Sequence, residues 1–105
     1  MGRYDQAFSL FQRSQRVDPQ DPAYNFFYGY YYLTRGDLEV AQKSFAAALL
    51  KKPDLMDALY FMGYISERFN NPEDAKRYYR KTVTSLDSDR GGYRKLAVAR
   101  LAALR

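Results

Sequence analysis

The stretch PAYNFFYGYYYLTRGDLEVAQKSFAAALLKKPDL, residues 22–55, is followed directly by MDALYFMGYISERFNNPEDAKRYYRKTVTSLDSD, residues 56–89, and the second is a rewritten copy of the first. Gly29 returns as Gly63, Tyr30 as Tyr64, Phe26 as Tyr60, Ala41 as Ala75 and Phe45 as Tyr79, each 34 positions on. The same offset runs upstream, where Ala7 precedes Ala41, Phe11 precedes Phe45 and Pro19 precedes Pro53. Registers that agree on one period mark a chain built from repeated supersecondary units, none of which can bury its apolar face alone.

Within each unit apolar residues recur every three or four positions, which places them on one face of a helix. Asp21 before Pro22 and Asn71 before Pro72 put a capping side chain ahead of a proline suited to the first helical turn. Gly36-Asp37 supplies a residue for the helix end and then a new N-cap. Asp54, with Asp57 three residues on, reads as the opening of the next helix, much as in a capping box. Helices are therefore predicted near 3–17, 22–35, 37–51, 55–70, 72–85 and 90–104. Gly29 and Gly63 are expected to let one helix approach the small Ala41 and Ala75 of its hairpin partner.

A 34-residue period with Gly in the first half, Ala and then an aromatic four residues later in the second half, and a closing Pro resembles the tetratricopeptide repeat. With Pro22 as position 1, Gly29, Tyr32, Ala41, Phe45, Ala48 and Pro53 fall at positions 8, 11, 20, 24, 27 and 32. The resemblance implies an all-α fold, a right-handed superhelical stack of antiparallel helix pairs, an α-solenoid of about six helices. One domain over 1–105 is expected, divided into the second helix of a partial repeat (1–21), full repeats at 22–55 and 56–89, and a C-terminal capping helix (90–105), polar on its outer side. In the second repeat Ser66 stands where the family has an aromatic and Asp87 where it has Pro.

The composition narrows the function. The chain has 105 residues with no Cys and no His, which removes disulfides, the commonest transition-metal ligands, the commonest general base and the most nucleophilic side chain. Its tight carboxylate pairs, Glu73-Asp74 and Asp87/Asp89, sit at predicted helix ends, where capping accounts for them. Gly91-Gly92 lacks the Lys-Ser that would make a phosphate loop. No enzyme, metal or cofactor is expected. No run of 18 apolar residues is present, so no membrane insertion is expected, and the lack of a legible targeting segment favours the cytoplasm.

The resemblance implies a protein–protein interaction scaffold whose first helices line a concave groove through positions 2, 5, 9, 12 and 13 of each repeat. Mapped onto this chain, those positions give Phe26, Tyr30, Leu33 and Thr34 in the first full repeat. The second gives Asp57, Tyr60, Tyr64, Glu67 and Arg68, and the last helix Arg94, Val98 and Leu101. Tyr28 and Tyr32, at positions 7 and 11, are implied to be core. The segment YNFFYGYYY, residues 24–32, carries seven aromatics in nine positions, too many for one apolar stripe. Phe26, Tyr30, Tyr60 and Tyr64 either line the groove, where an exposed tyrosine offers a rigid face and a hydroxyl, or pack against neighbouring helices. Some members of the family grip C-terminal carboxylates with Lys, Asn and Arg at positions 5 and 9. Those positions are aromatic here, and the expected partner is a protein or peptide with an apolar or aromatic segment.

Three alternatives are carried. Ala7, Phe8 and Phe11 on the unpaired helix 3–17 suggest self-association as a homodimer or a place in a longer array. A short array closed by a last helix also resembles small assembly or secretion chaperones. Nucleic-acid binding is suggested by charge: the net +5 lies wholly in residues 51–105, with Lys76, Arg77, Arg80, Lys81, Arg90, Arg94, Lys95, Arg100 and Arg105. A solvated basic face explains the same residues.

Overall fold

A computed structural model describes residues 20–89 and 91–104. The chain divides into two compact units, Met1–Pro53 and Asp54–Arg105, so the division falls beside the repeat boundary between Leu55 and Met56. The helix predicted over 3–17, with Ala7, Phe8 and Phe11, lies outside the described residues.

In the first unit, α1 (Pro22–Thr34) and α2 (Leu38–Lys51) form a helical hairpin. Asp21 opens α1 by accepting a hydrogen bond from the Ala23 amide at 2.9 Å, with Pro22 in the first turn. The helix stops at Gly36, whose φ of +83° is open only to residues that tolerate the left-handed region. There the Asp37 amide donates to Tyr32 O at 2.9 Å and the Gly36 amide to Leu33 O at 3.1 Å, the Schellman arrangement that satisfies the last carbonyls of a helix. Asp37 then accepts from the Val40 amide to start α2. Lys51 Nζ reaches Asn25 Oδ1 at 2.6 Å and ties the far ends of the hairpin together.

In the second unit, α3 (Met56–Arg68) and α4 (Pro72–Thr84) form the equivalent hairpin, and α5 (Tyr93–Ala103) packs on α4 and α3. The turn between α3 and α4 repeats the first one with asparagines in place of Gly-Asp. Asn70 adopts φ +58°, and the Asn70 and Asn71 amides donate to Glu67 O and Ser66 O at 2.9 and 2.8 Å. Asn can take this conformation because its short polar side chain tolerates it. Asn71 Oδ1 accepts from the Asp74 amide at 3.3 Å to cap α4, and the Asn71 side-chain amide donates to Asp74 Oδ2 at 2.9 Å, which holds the cap in place. Among the described residues no helix is long and apolar enough to cross a membrane.

Four local expectations are corrected. The start of α3 is not capped by Asp54 or Asp57: its N-cap is Leu55, without a side-chain hydrogen bond. Asp54 lies one residue too early for its carboxylate to reach the free amides of the first turn. The Met56 amide instead donates to Asp87 Oδ2 at 3.2 Å, and Ser85 Oγ donates to Asp54 O at 2.5 Å, so the end of the repeat is tied to its beginning. Asp87, the departure from the usual Pro, thereby gains a job that Pro has no side chain to do.

Gly29 and Gly63 make room for rings rather than for alanines. A Cβ added to Gly29 would lie 2.8 Å from Phe45 Cδ1, and one added to Gly63 would lie 2.7 Å from Tyr79 Cε1. The position-24 aromatic is longer than the position-20 alanine and reaches the facing helix first.

The outer side of α5 is not uniformly polar. Leu96 is 46% and Val98 52% exposed, because Ala97, Leu101 and Leu104 take the side that packs on Ala75, Tyr79 and Val83. The helix also begins at Tyr93 rather than 90: Gly92 takes φ +71°, and Asp89 accepts from the Tyr93 and Arg94 amides at 2.8 and 3.2 Å.

Candidate functional site

Each unit carries a first helix whose aromatic residues are divided between packing and exposure, and each is described on its own. On α1, Phe26 stacks on Tyr30 with ring centres 6.3 Å apart and also leans on the buried Phe45 at 5.6 Å. Tyr24, Tyr28 and Tyr32 form a separate row at four-residue spacing, with centres 4.9 and 6.5 Å apart. All of these rings are half-buried, Tyr28 and Tyr32 included. Leu33 and Thr34 end the helix half-buried, and the Thr34 hydroxyl donates to Tyr31 O at 2.8 Å.

The second unit repeats the geometry at the same offset. Tyr60 rests on the fully buried Tyr79 at 5.6 Å and on Tyr93 at 5.2 Å. A position-5 ring therefore lies against a position-24 ring in both units, so Phe26 and Tyr60 each use part of their surface for packing. Tyr64, one turn further along α3, is 38% exposed. Tyr60, Tyr64, Glu67, Arg68 and Arg100 together line an open hollow of about 500 Å³.

Glu67 is the electrostatic centre of that hollow. Its Oε2 accepts from the Tyr79 hydroxyl at 2.7 Å and from Arg100 Nε at 3.2 Å, and its Oε1 forms an ion pair with the other end of the Arg100 guanidinium. Burial pushes the Glu67 carboxyl up, but the hydrogen bonds from Arg100 and Tyr79 and the charge of Arg100 outweigh it, and the group is held below the usual carboxylate range. Hydrogen bonding to Glu67 and its nearby charge raise the Arg100 guanidinium further above its already high value. Burial, followed by the nearness of Glu67, pushes the Tyr60 phenol up. Tyr79 is raised further by burial together with its hydrogen bond to the carboxylate. Both phenols are therefore neutral hydrogen-bond donors at physiological pH.

The depressed Glu67 value gives a pH prediction with a definite sign. A carboxyl whose folded pKa is depressed contributes stability that is fully present above its unfolded value of about 4.5 and lost as pH falls through the folded one. The stability advantage of the wild type over Glu67→Gln, measured by urea unfolding, should be constant from pH 8 to pH 6 and shrink below about pH 4.5. An advantage that does not change down to pH 3 would mean that the ion pair forms only weakly in solution.

Of the residues expected to face a partner, the structure brings Tyr60, Tyr64, Glu67 and Arg68 together. Asp57 is half-buried in the first turn of α3 and does not line the hollow. Arg94 is directed elsewhere: its Nε and Nη2 donate to Val83 O at 3.1 Å and Ser85 O at 2.9 Å, where they satisfy carbonyls at the end of α4. Arg100 joins the hollow although the repeat positions do not select it. Its pairing with Glu67 depends on how α5 crosses α3, which no spacing in the sequence encodes. Much of the basic cluster is internally engaged as well. Lys76 and Arg77 lie 3.5 and 3.4 Å from Glu73 and Asp74, and Arg77 and Lys81 both approach the ring of Tyr78. Arg90 and Arg105 lie outside the described residues.

No curated protein matches the chain. A family model described as tetratricopeptide repeat matches residues 1–41 and 29–93. The second of these matches runs from Gly29, midway along α1, through α2, α3 and α4 to Tyr93 at the start of α5. With the 34-residue offset of Gly29/Gly63, Phe45/Tyr79 and the paired Schellman turns reproduced in three dimensions, the chain belongs to the tetratricopeptide-repeat family.

Proposed function

We propose that this chain, from a family whose repeats mediate protein–protein interaction, is a non-catalytic scaffold that holds peptide or protein segments on the aromatic faces of its first helices, Phe26 and Tyr30 on α1 in one unit and Tyr60 and Tyr64 on α3 in the other. The supporting observation is the hollow on α3. Tyr64 leaves more than a third of its surface exposed there, next to a ring whose other face is fixed by the core. A rigid, partly supported aromatic surface costs little conformational entropy when a partner docks, which is why tyrosine is frequent at binding hot spots.

The fluorescein-labelled peptide SNSFSFSNSG, whose side chains are all uncharged, serves as the probe. Fluorescence anisotropy should give a saturable titration with the wild-type chain. Tyr64→Ala should weaken it about thirtyfold, the lower edge of a hot-spot truncation. Absence of binding to the wild type, or equal binding by the variant, would overturn this reading.

A further inference from the structure

Tyr60, Tyr64 and Arg68 stand four residues apart along α3 and therefore share one face, with successive side chains about 6 Å apart along the axis. An extended peptide places every second side chain on one side at about 6.6 Å. Three consecutive same-side residues of such a strand can therefore follow the three helical positions in register.

The charges along this face are unbalanced. The hollow holds Arg68, Arg100 and Glu67, two cations and one anion. Both oxygens of Glu67 are occupied, by the Arg100 guanidinium and the Tyr79 hydroxyl, so its charge is spent within the protein. Arg68 is exposed and has no ion pair or hydrogen bond among the described residues. Its place in the last turn of α3 sets it against the negative end of the helix dipole. That interaction is modest and leaves the guanidinium donors unused.

We infer that the α3 hollow selects an extended segment in which two aromatic or aliphatic residues alternate with small ones and an Asp or Glu follows two positions later. The apolar side chains lie on Tyr60 and Tyr64, and the carboxylate pairs with Arg68. The inference rests on the peptide-holding function proposed above and names the chemistry of the segment that this site takes.

The test compares SNSFSFSNSG with SDSFSFSDSG, identical except that Asp replaces Asn on both sides of the Phe pair, so that either chain direction is served. At low salt the wild type should bind the acidic probe about fivefold more tightly, as a partly exposed ion pair permits. The preference should vanish in Arg68→Gln and at high salt. It should persist in Arg77→Gln, which removes a cation on α4 that already pairs with Asp74. Equal affinities of the wild type for the two probes would overturn the inference while leaving the aromatic reading intact. A preference unchanged in Arg68→Gln would overturn it too, because overall positive charge would then be the cause. Failure of both probes to bind would remove the aromatic reading and this inference with it.

Discussion

Replacing Tyr79 with alanine is expected to lower the unfolding free energy by about 3–5 kcal/mol, the range for removing a large aromatic from a packed core. Tyr79 is fully buried and heads the largest buried side chains among the described residues. Its ring fills the space left by Gly63, carries Tyr60 on one side and joins Ala75 and Ala97 in the cluster that fastens α5. Truncation opens a cavity at the point where three helices meet, and it deprives Glu67 of a hydrogen-bond donor. Tyr79→Phe separates the two effects, since it keeps the ring and removes only the hydroxyl. A loss of about 1.5–3 kcal/mol is expected, the range for a hydrogen bond to a charged acceptor. Urea unfolding followed by circular dichroism measures both variants. A Tyr79→Ala loss no larger than that of Tyr79→Phe would mean that the ring contributes nothing beyond its hydroxyl.

Gly63→Ala should destabilise the chain by about 1–3 kcal/mol, against the sign that helix propensity alone would give. In an exposed helix interior the same exchange gains about 1 kcal/mol, because alanine loses less backbone entropy on folding. At Gly63 the new Cβ would lie 2.7 Å from Tyr79 Cε1 and 2.8 Å from Cδ1. The ring has little room to withdraw: it is enclosed on all sides and its hydroxyl is held by Glu67 at 2.7 Å. Overpacking therefore outweighs propensity. The mechanism predicts strong coupling with the first variant. In a Tyr79→Ala background the clash has no partner, and Gly63→Ala should become neutral or stabilising. A penalty for Gly63→Ala that is the same in both backgrounds would show that the ring is not its cause.

The two variants mark where reading the chain as a string of letters stops. The 34-residue offset already pairs Gly63 with Gly29 and Tyr79 with Phe45, so the need for close packing at these positions is visible. The partner of the glycine is not. An alanine and an aromatic both recur in the second helix, and only the side-chain reach across the hairpin makes the ring the contact. The C-terminal turn at Gly36-Asp37 is legible from residue type. Its counterpart at Asn70-Asn71 becomes legible once the offset is applied, because the same left-handed position must be filled by a residue that tolerates it.

The candidate site divides in the same way. Tyr60, Tyr64, Glu67 and Arg68 lie on one helix, so the helical period alone places them near one another, and the resemblance to a known repeat selects their face. Arg94 and Arg100 belong to another helix, and their roles followed no period. Arg94 turned to the carbonyls ending α4, and Arg100 turned to Glu67.

The sequence by itself determined what depends on neighbours within a few residues or on the period: helices, most of their caps, the repeat and the family. Tertiary structure decided what depends on which side chains meet across helices: the ring beneath each glycine, the Asp87 carboxylate at the start of α3, and the Glu67–Tyr79–Arg100 group that leaves Arg68 without an ion pair among the described residues. The physical reason is that a cap or a turn is closed by atoms a fixed number of bonds apart. A contact between helices is set instead by crossing angle, side-chain length and rotamer, which many sequences of the same pattern can satisfy differently.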